Sequence, residues 1–407
     1  MGDLMGNRAY KISFLGDITL DRPMLNSGRK PDGSYDYSGV FDVLSEQLSD
    51  SDCVICNLET LFAGQKAGYN PGVVSYNSPD AFIKEIRKLN CELILTTANN
   101  HCLDLGTEGE KRTLALLDDY DIHHTGVFIG SERRYIVQQV GGIKVAFVSF
   151  TSVMNNRENG LPHAFREFQT VNCLFSERAR STLSTKQKIK RLLPSKYIRR
   201  IAVAMRKLRG VSVMKPFSDD FDIPASDIEA IDRAGRLLTE ARAHSDVVVA
   251  CVHTGGQFNV EPGRYTRALF EKLGENVDFI VGNHPHVVQQ ILRKATGVWA
   301  YSLGSVNLST SADYIIPGRL SEYSIALHLY LRQDCFDASL LEKATFSVLK
   351  AVEDANGFVR TMPVAKLYST ASEMEKAALL KDVGVIYQRC MGTGEALTEI
   401  ASEYVIV

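Results

Sequence analysis

Short apolar runs alternate with segments of helical period along the chain. Lys11–Gly16 reads as a strand, Val40–Leu48 as a helix and Cys53–Cys56 as a strand. Pro79–Leu89 sets Ala81, Phe82, Ile86 and Leu89 on one helical face, and Glu92–Thr96 comes after it as a strand. A helix from about Thr107 to Leu117 comes next, then a strand pair around the Gly141-Gly142 turn. The pattern resumes with a helix at Ala225–Ala243, a strand at Val247–Val252, a helix at Pro262–Leu273 and a strand at Val277–Val281. Strands Val288–Leu292 and Val298–Leu303 complete it, Tyr323–Leu331 alternates as a strand, and the tail from Ser372 to Tyr404 reads as two helices broken near Gly392-Thr393-Gly394. Strands alternating with helices of this length predict βαβ units around a largely parallel sheet, in an α/β core that is interrupted once and not duplicated.

Charge locates the interruption. The chain has 407 residues, 45% of them hydrophobic, with 46 Lys and Arg against 48 Asp and Glu, which excludes a disordered or collagen-like protein. Residues 176–215 hold thirteen basic side chains and one acid, so this stretch carries +12 and the rest of the chain −14. The asymmetry predicts a basic insertion, at about 165–224, that meets an anionic surface. From Lys196 to Arg209 the apolar positions Ile198, Ile201, Met205 and Leu208 fall at helical spacing, as in a cationic helix lying on anionic lipid or a polyanion. A lid packed on the main domain reads equally well, and with Tyr197 as the sole aromatic, nucleic acid is disfavoured. No apolar stretch reaches the ~18 residues of a membrane span, and Met1–Lys11 lacks an apolar signal core. The expectation is a cytoplasmic chain with the option of peripheral membrane contact, and its eight cysteines are expected to be reduced.

The chemistry lies at the carboxyl end of each apolar run. Lys11–Gly16 ends in Asp17, Cys53–Cys56 in Asn57-Leu58-Glu59, and Glu92–Ala98 in Asn99-Asn100-His101. Val247–Val252 ends in His253, and Val277–Gly282 in Asn283-His284-Pro285-His286. An open α/β sheet places its ligand site outside the carboxyl ends of its strands, so these five groups are expected to converge. Carboxylates, an Asn carbonyl and several imidazoles describe an N/O site for a divalent metal, one or two ions of Mn, Zn or Fe. A pair of such ions holds a phosphoryl or acyl oxygen and lowers the pKa of a bridging water toward neutrality. An extended backbone through His284-Pro285-His286 is expected to point both imidazoles to the same side.

The ordered segments Gly16-Asp17-Ile18-Thr19-Leu20-Asp21-Arg22, Asn57-Leu58-Glu59, Ala98-Asn99-Asn100-His101-Cys102-Leu103-Asp104-Leu105-Gly106, Gly282-Asn283-His284-Pro285-His286 and Tyr301-Ser302-Leu303-Gly304 carry a resemblance. They resemble the CapA capsule-synthesis family, linked to poly-γ-glutamate biosynthesis, within the calcineurin-like metallophosphoesterases. The resemblance covers roughly residues 10–150 and 225–310. It implies a four-layer αββα sandwich over 10–310, interrupted by the basic insertion, with a C-terminal extension at 311–407. It also implies Asp17, Asn100, His253, His284 and His286 as metal ligands and Glu59 as the bridging carboxylate. His101, held by Asp104, would then serve the leaving group. Arg22, Asn57 and Tyr301 are candidates for contact with an anionic polymer or phosphorylated substrate.

Departures from the family pattern are visible too. Thr19 stands where metallophosphoesterases place a His two residues after the first Asp, and Gln257 replaces an acid of the capsule-synthesis branch. The function expected is a metal-dependent hydrolase of a phosphoester or an anionic-polymer amide in capsule-type metabolism. The alternative is a non-catalytic polyanion- or membrane-binding accessory protein.

Overall fold

A computed structural model describes residues 8–71, 75–130, 134–155, 168–176, 216–295, 297–312, 314–333 and 340–407. The basic stretch at 176–215, with its amphipathic segment at 196–209, lies outside them apart from Ser176. In chain order the elements begin with β1 (Tyr10–Ile18), α1 (Arg22–Ser27), α2 (Asp42–Gln47), β2 (Cys53–Leu58), α3 (Ala81–Arg87) and β3 (Leu93–Thr96). They continue through α4 (Gly106–Asp119), β4 (His123–Thr125), β5 (Ile136–Val140), β6 (Ile143–Thr151), α5 (Ile228–Arg242), β7 (Val247–His253) and α6 (Arg264–Gly274). The remainder is β8 (Phe279–Asn283), β9 (Ile291–Arg293), β10 (Val298–Ala300), β11 (Tyr323–Leu331), β12 (Leu341–Glu353), β13 (Val359–Pro363), α7 (Val364–Thr370), α8 (Glu373–Met391) and β14 (Tyr404–Val405).

These strands form two mixed sheets, not one parallel sheet. The first runs β13-β12-β11-β1-β2-β3-β4, with β14 beside β12, and the second runs β5-β6-β7-β8-β10-β9. Within each, the central strands are parallel: β1 with β2, β2 with β3, β6 with β7, and β7 with β8. The antiparallel flank β11-β12-β13 extends the first sheet from β1, so residues beyond 311 join the same sheet.

Period-2 alternation sorts the side chains into layers. Ile12, Phe14, Ile55 and Ile94 of the first sheet meet Val145, Phe147, Val249 and Val281 of the second in a shared middle core. The opposite face of the first sheet packs Val54, Cys56 and Leu95 against Leu44, Phe82, Ile86, Leu114 and Leu117 of α2, α3 and α4. The opposite face of the second packs Ala146, Val148 and Val252 against Ile231, Leu238, Leu269 and Leu273 of α5 and α6. The result is a four-layer αββα sandwich. Where the second sheet runs out, Leu379, Val383 and Ile386 of α8 join the middle core beside Phe346 of β12.

Three local expectations change. The tail has one helix and not two: α8 starts at a Ser372–Glu375 capping box and stops at Gly392, whose φ of 64° supplies the left-handed cap. Past it the chain runs without a second helix to β14, which pairs with β12. The strand expected at Val288–Leu292 shrinks to Ile291–Arg293, because Val288 is held instead by a bridge to Leu303. Finally, His123 and His124, where the apolar pattern predicts no strand, form β4 at the edge of the first sheet.

Candidate metal centre

Parallel central strands bring their carboxyl ends to one edge of the sandwich, and each end delivers a polar side chain there. Asp17 lies on β1 beyond a register shift, Asn57 is the last residue but one of β2, His253 closes β7 and Asn283 closes β8. Such irregularities re-aim a side chain at the end of a strand. Gly16 is needed just before it: a Cβ there would sit 1.8 Å from the Gly304 carbonyl oxygen. That close approach lets the Asp17 amide donate to the Gly304 carbonyl at 3.0 Å and brings Ser305 beside Asp17.

The predicted ligands converge, and they do so as two groups. Donor atoms of Asp17, Glu59 and His286 lie within 4.8 Å of one another, and so do those of Glu59, His253 and His284. Glu59 belongs to both. In the first group His286 Nδ1 is 3.1 Å from Asp17 Oδ2 and 2.8 Å from Ser305 Oγ. In the second, His253 Nε2 is 3.0 Å from His284 Nδ1 and 2.6 Å from Asn100 Oδ1. The geometry therefore corrects the expectation for His284-Pro285-His286: the backbone is not extended, with φ of 105° at His284 and 56° at His286. Left-handed φ at two non-glycine residues is strain of the kind that surrounding structure holds at functional sites, and it sends the two imidazoles to different groups.

A fit test for metal comes from the hydrogen bonds that are missing. Glu59 is fully buried, yet neither carboxylate oxygen has a donor among the described residues. Burial, with Asp17 and Asp104 nearby, pushes its carboxyl well above the usual range. Asn283 Oδ1 is also buried without a donor among them. An unpaired buried carboxylate costs several kcal/mol and is retained where a cation answers it. His253 and His284 are pushed well below the usual imidazole range by burial and by neighbouring histidines, which keeps them neutral, the form that binds metal. The residues present fit a divalent-metal site, with Glu59 common to both groups.

His101 stands beside this set. Its Nδ1 donates to Asp104 Oδ2 at 2.6 Å, and its Nε2 lies 3.8 Å from Glu59 Oε1. Asp104 Oδ2 also accepts the Tyr76 amide at 2.8 Å, while Asn155 Nδ2 approaches His101 Nε2 at 3.2 Å. Sequence reasoning missed Tyr76 and Asn155, which lie in loops with neither period nor motif.

The three substrate candidates fall differently. Asn57 is buried beneath the ligands, its amide donating to Asp17 Oδ1 at 2.7 Å and lying 3.2 Å from His253 Nδ1, so it orients them. Arg22 is exposed at the start of α1, and its guanidinium reaches the Asn70 carbonyl at 3.5 Å. Tyr301 is not brought to the centre. Alternation sends Val298 and Ala300 into the middle core and turns Trp299 and Tyr301 to the outer face, where the Tyr301 ring packs 4.7 Å from Phe270. Gln257, the amide that replaces the branch acid, has its Nε2 3.4 Å from His286 Nε2. Thr19 Oγ1 is buried without a partner among the described residues.

The sandwich thus gathers at its strand ends side chains that could hold a metal ion. The chain belongs to the bacterial capsule synthesis protein PGA_cap family, whose model matches residues 11–308. It is 24% identical over 299 residues to the PGA biosynthesis protein CapA of Bacillus subtilis, covering 72% of this chain and 62% of that protein. To the capsule biosynthesis protein CapA of Bacillus anthracis it is 22% identical over 308 residues, covering 74% and 60%. The chain thus spans about three-fifths of the length of these relatives. Among solved structures, a hypothetical protein from Thermus thermophilus aligns at TM-score 0.39 and 15% identity over 87% of this chain and 97% of that one. The Thermus thermophilus sulfate thiohydrolase SoxB aligns at 0.34 and 13% over 95% and 62%. Among the described residues no helix is long and apolar enough to cross a membrane.

Proposed function

We propose that this chain is a metal-dependent hydrolase of capsule-type polymer metabolism, acting on a phosphoester or on an amide of an anionic polymer such as poly-γ-glutamate. The observation that carries the reading is Glu59, buried, without a hydrogen-bond donor among the described residues, and common to two ligand groups. Asp17, Glu59 and His286 would hold one ion, and Glu59, His253, His284 and Asn100 the other. Divalent ions there would supply Lewis acidity and a nucleophile from water at neutral pH. Asn57 fixes Asp17 and His253 from below, so the ligands keep their orientation through the reaction. Asp104 binds His101 Nδ1 and leaves Nε2 facing the centre, where the protonated ring gives its proton to the leaving group.

The test is elemental analysis of the purified chain beside Glu59→Gln and His253→Ala, with phosphodiesters and γ-glutamyl polymers as substrates. One to two equivalents of transition metal are expected in the parent and loss of metal and turnover in both variants. A parent that binds no Mn, Zn or Fe, or variants that keep full activity, would overturn the reading.

The +12 charge of residues 176–215 favours a second reading, a non-catalytic polyanion-binding accessory protein. It expects polyanion binding that falls steeply with salt and is unchanged by Asp17→Ala.

A further inference from the structure

The proposed ligands are closed to solvent: Asp17 and Glu59 are 0% exposed and the most open, His284, only 7%. A substrate group larger than water therefore needs something at the edge of the centre to yield to it. Two half-buried tyrosines stand there, drawn from opposite sides. Tyr76, between β2 and α3, lays its ring 4.4 Å from His101, and its amide is latched to the Asp104 carboxylate. Tyr314, between β10 and β11, packs 6.4 Å from Phe258, whose own ring is 5.9 Å from His286. One tyrosine thus belongs to the side of the proton donor and the other to the side of the Asp17 group.

The two are joined by one hydrogen bond, with the Tyr76 hydroxyl donating to the Tyr314 hydroxyl at 3.1 Å. Neither hydroxyl is placed as a core tyrosine would place it: Tyr76 is in none of the apolar clusters, and Tyr314 lies only at the margin of a small one with Phe258, Val287, Leu308 and Ile316. Both phenols feel the charges of Glu59 and Asp21, and burial pushes both above the usual range, so they keep their protons.

We propose that Tyr76 and Tyr314 are substrate-contacting residues, whose mutual hydrogen bond is exchanged for donation to the phosphoryl oxygens of a substrate held at the metal centre. The inference rests on the metal-centre reading above. Two neutral donors with fixed rings suit an oxyanion whose charge the cations already balance.

The experiment uses the full chain loaded with manganese(II), inorganic phosphate as probe, and the variants Tyr76→Phe, Tyr314→Phe and their double. Phe keeps the ring packing, and bound metal is counted in each sample before phosphate is titrated by calorimetry. Unchanged metal content is expected, with phosphate affinity about 10-fold weaker in each single variant, the loss of one hydrogen bond to a charged group. In the double variant the loss should exceed the product of the two, since each single variant also spares the mutual bond that binding otherwise breaks, which offsets part of its loss. With bis(p-nitrophenyl) phosphate, KM should rise while kcat stays within about twofold. Metal-replete variants with the parent's phosphate affinity would overturn the tyrosine assignment alone. A parent that takes up no metal would overturn the metal-centre reading and this inference with it.

Discussion

Two buried polar clusters sit on the first sheet, and they obey opposite rules. Near the C-terminal segment His328 is 0% exposed, and every polar neighbour is answered: Ser13 Oγ lies 2.8 Å from its Nδ1 and Ser347 Oγ 3.1 Å from its Nε2. Ser13 continues to Ser51 at 2.7 Å and Ser347 to the Ser402 carbonyl at 2.7 Å. Alongside, Glu403 accepts from Lys11 at 2.9 Å, Thr345 at 2.6 Å and Tyr330 at 2.9 Å. His328 itself is paired on both sides within the sheet, opposite Ser13 of β1 and Thr345 of β12. At the strand ends, by contrast, Glu59 and Asn283 hold oxygens unanswered among the described residues, two histidines have left-handed φ, and like charges stand together. A satisfied cluster stabilises its fold; an unsatisfied and strained one is kept for a ligand.

The contrast breaks most sharply through one substitution in each cluster, measured by urea unfolding of metal-free protein. Glu403→Gln should lower stability by about 2 kcal/mol, since it takes the carboxylate from Lys11, Thr345 and Tyr330 while Lys11 stays buried. Glu59→Gln should leave stability unchanged or raise it, by up to about 2 kcal/mol, because it relieves the repulsion from Asp17 and Asp104 and loses no hydrogen bond. Loss of stability in Glu59→Gln equal to that in Glu403→Gln would erase the distinction. With excess manganese the order should reverse, as metal binding stabilises only the chain that can hold it.

How much of this was legible in the sequence depends on the kind of rule each feature obeys. Convergence of Asp17, Glu59, Asn100, His253, His284 and His286 comes from parallel strands ending on one edge, which period and order along the chain encode. His328, a lone imidazole without companions in the sequence, is likewise a core residue in the structure. The division of the ligands into two groups depends on the backbone turn at His284 and His286, which a spacing of two residues does not reveal. Tyr301 failed on register: its apolar neighbours name a strand but not which face is outward. The Tyr76–Tyr314 bond and the close pass of Gly16 by Gly304 are long-range pairings. Nothing local in the chain specifies them.

The smallest effect expected is a pH slope, and it sharpens the reading of the satisfied cluster. Burial, with Lys11 nearby, pushes the His328 imidazole down to about 3. In the unfolded chain its pKa is about 6.5, so between these values the unfolded state binds a proton that the native state refuses. The folded value is depressed, so the contribution is full above pH 6.5 and is lost as pH falls below it, at about 1.4 kcal/mol per pH unit. His328→Gln keeps a side chain able to bond Ser13 and Ser347 but removes the titration. Stability measured by urea unfolding from pH 7 to 5 should therefore fall less steeply in the variant, by about one proton's worth of slope. His253 and His284 titrate in the same direction in the metal-free chain, and their contribution is common to both proteins. Equal slopes would mean that His328 takes up a proton in the folded state, and that the cluster is not the closed network its hydrogen bonds describe.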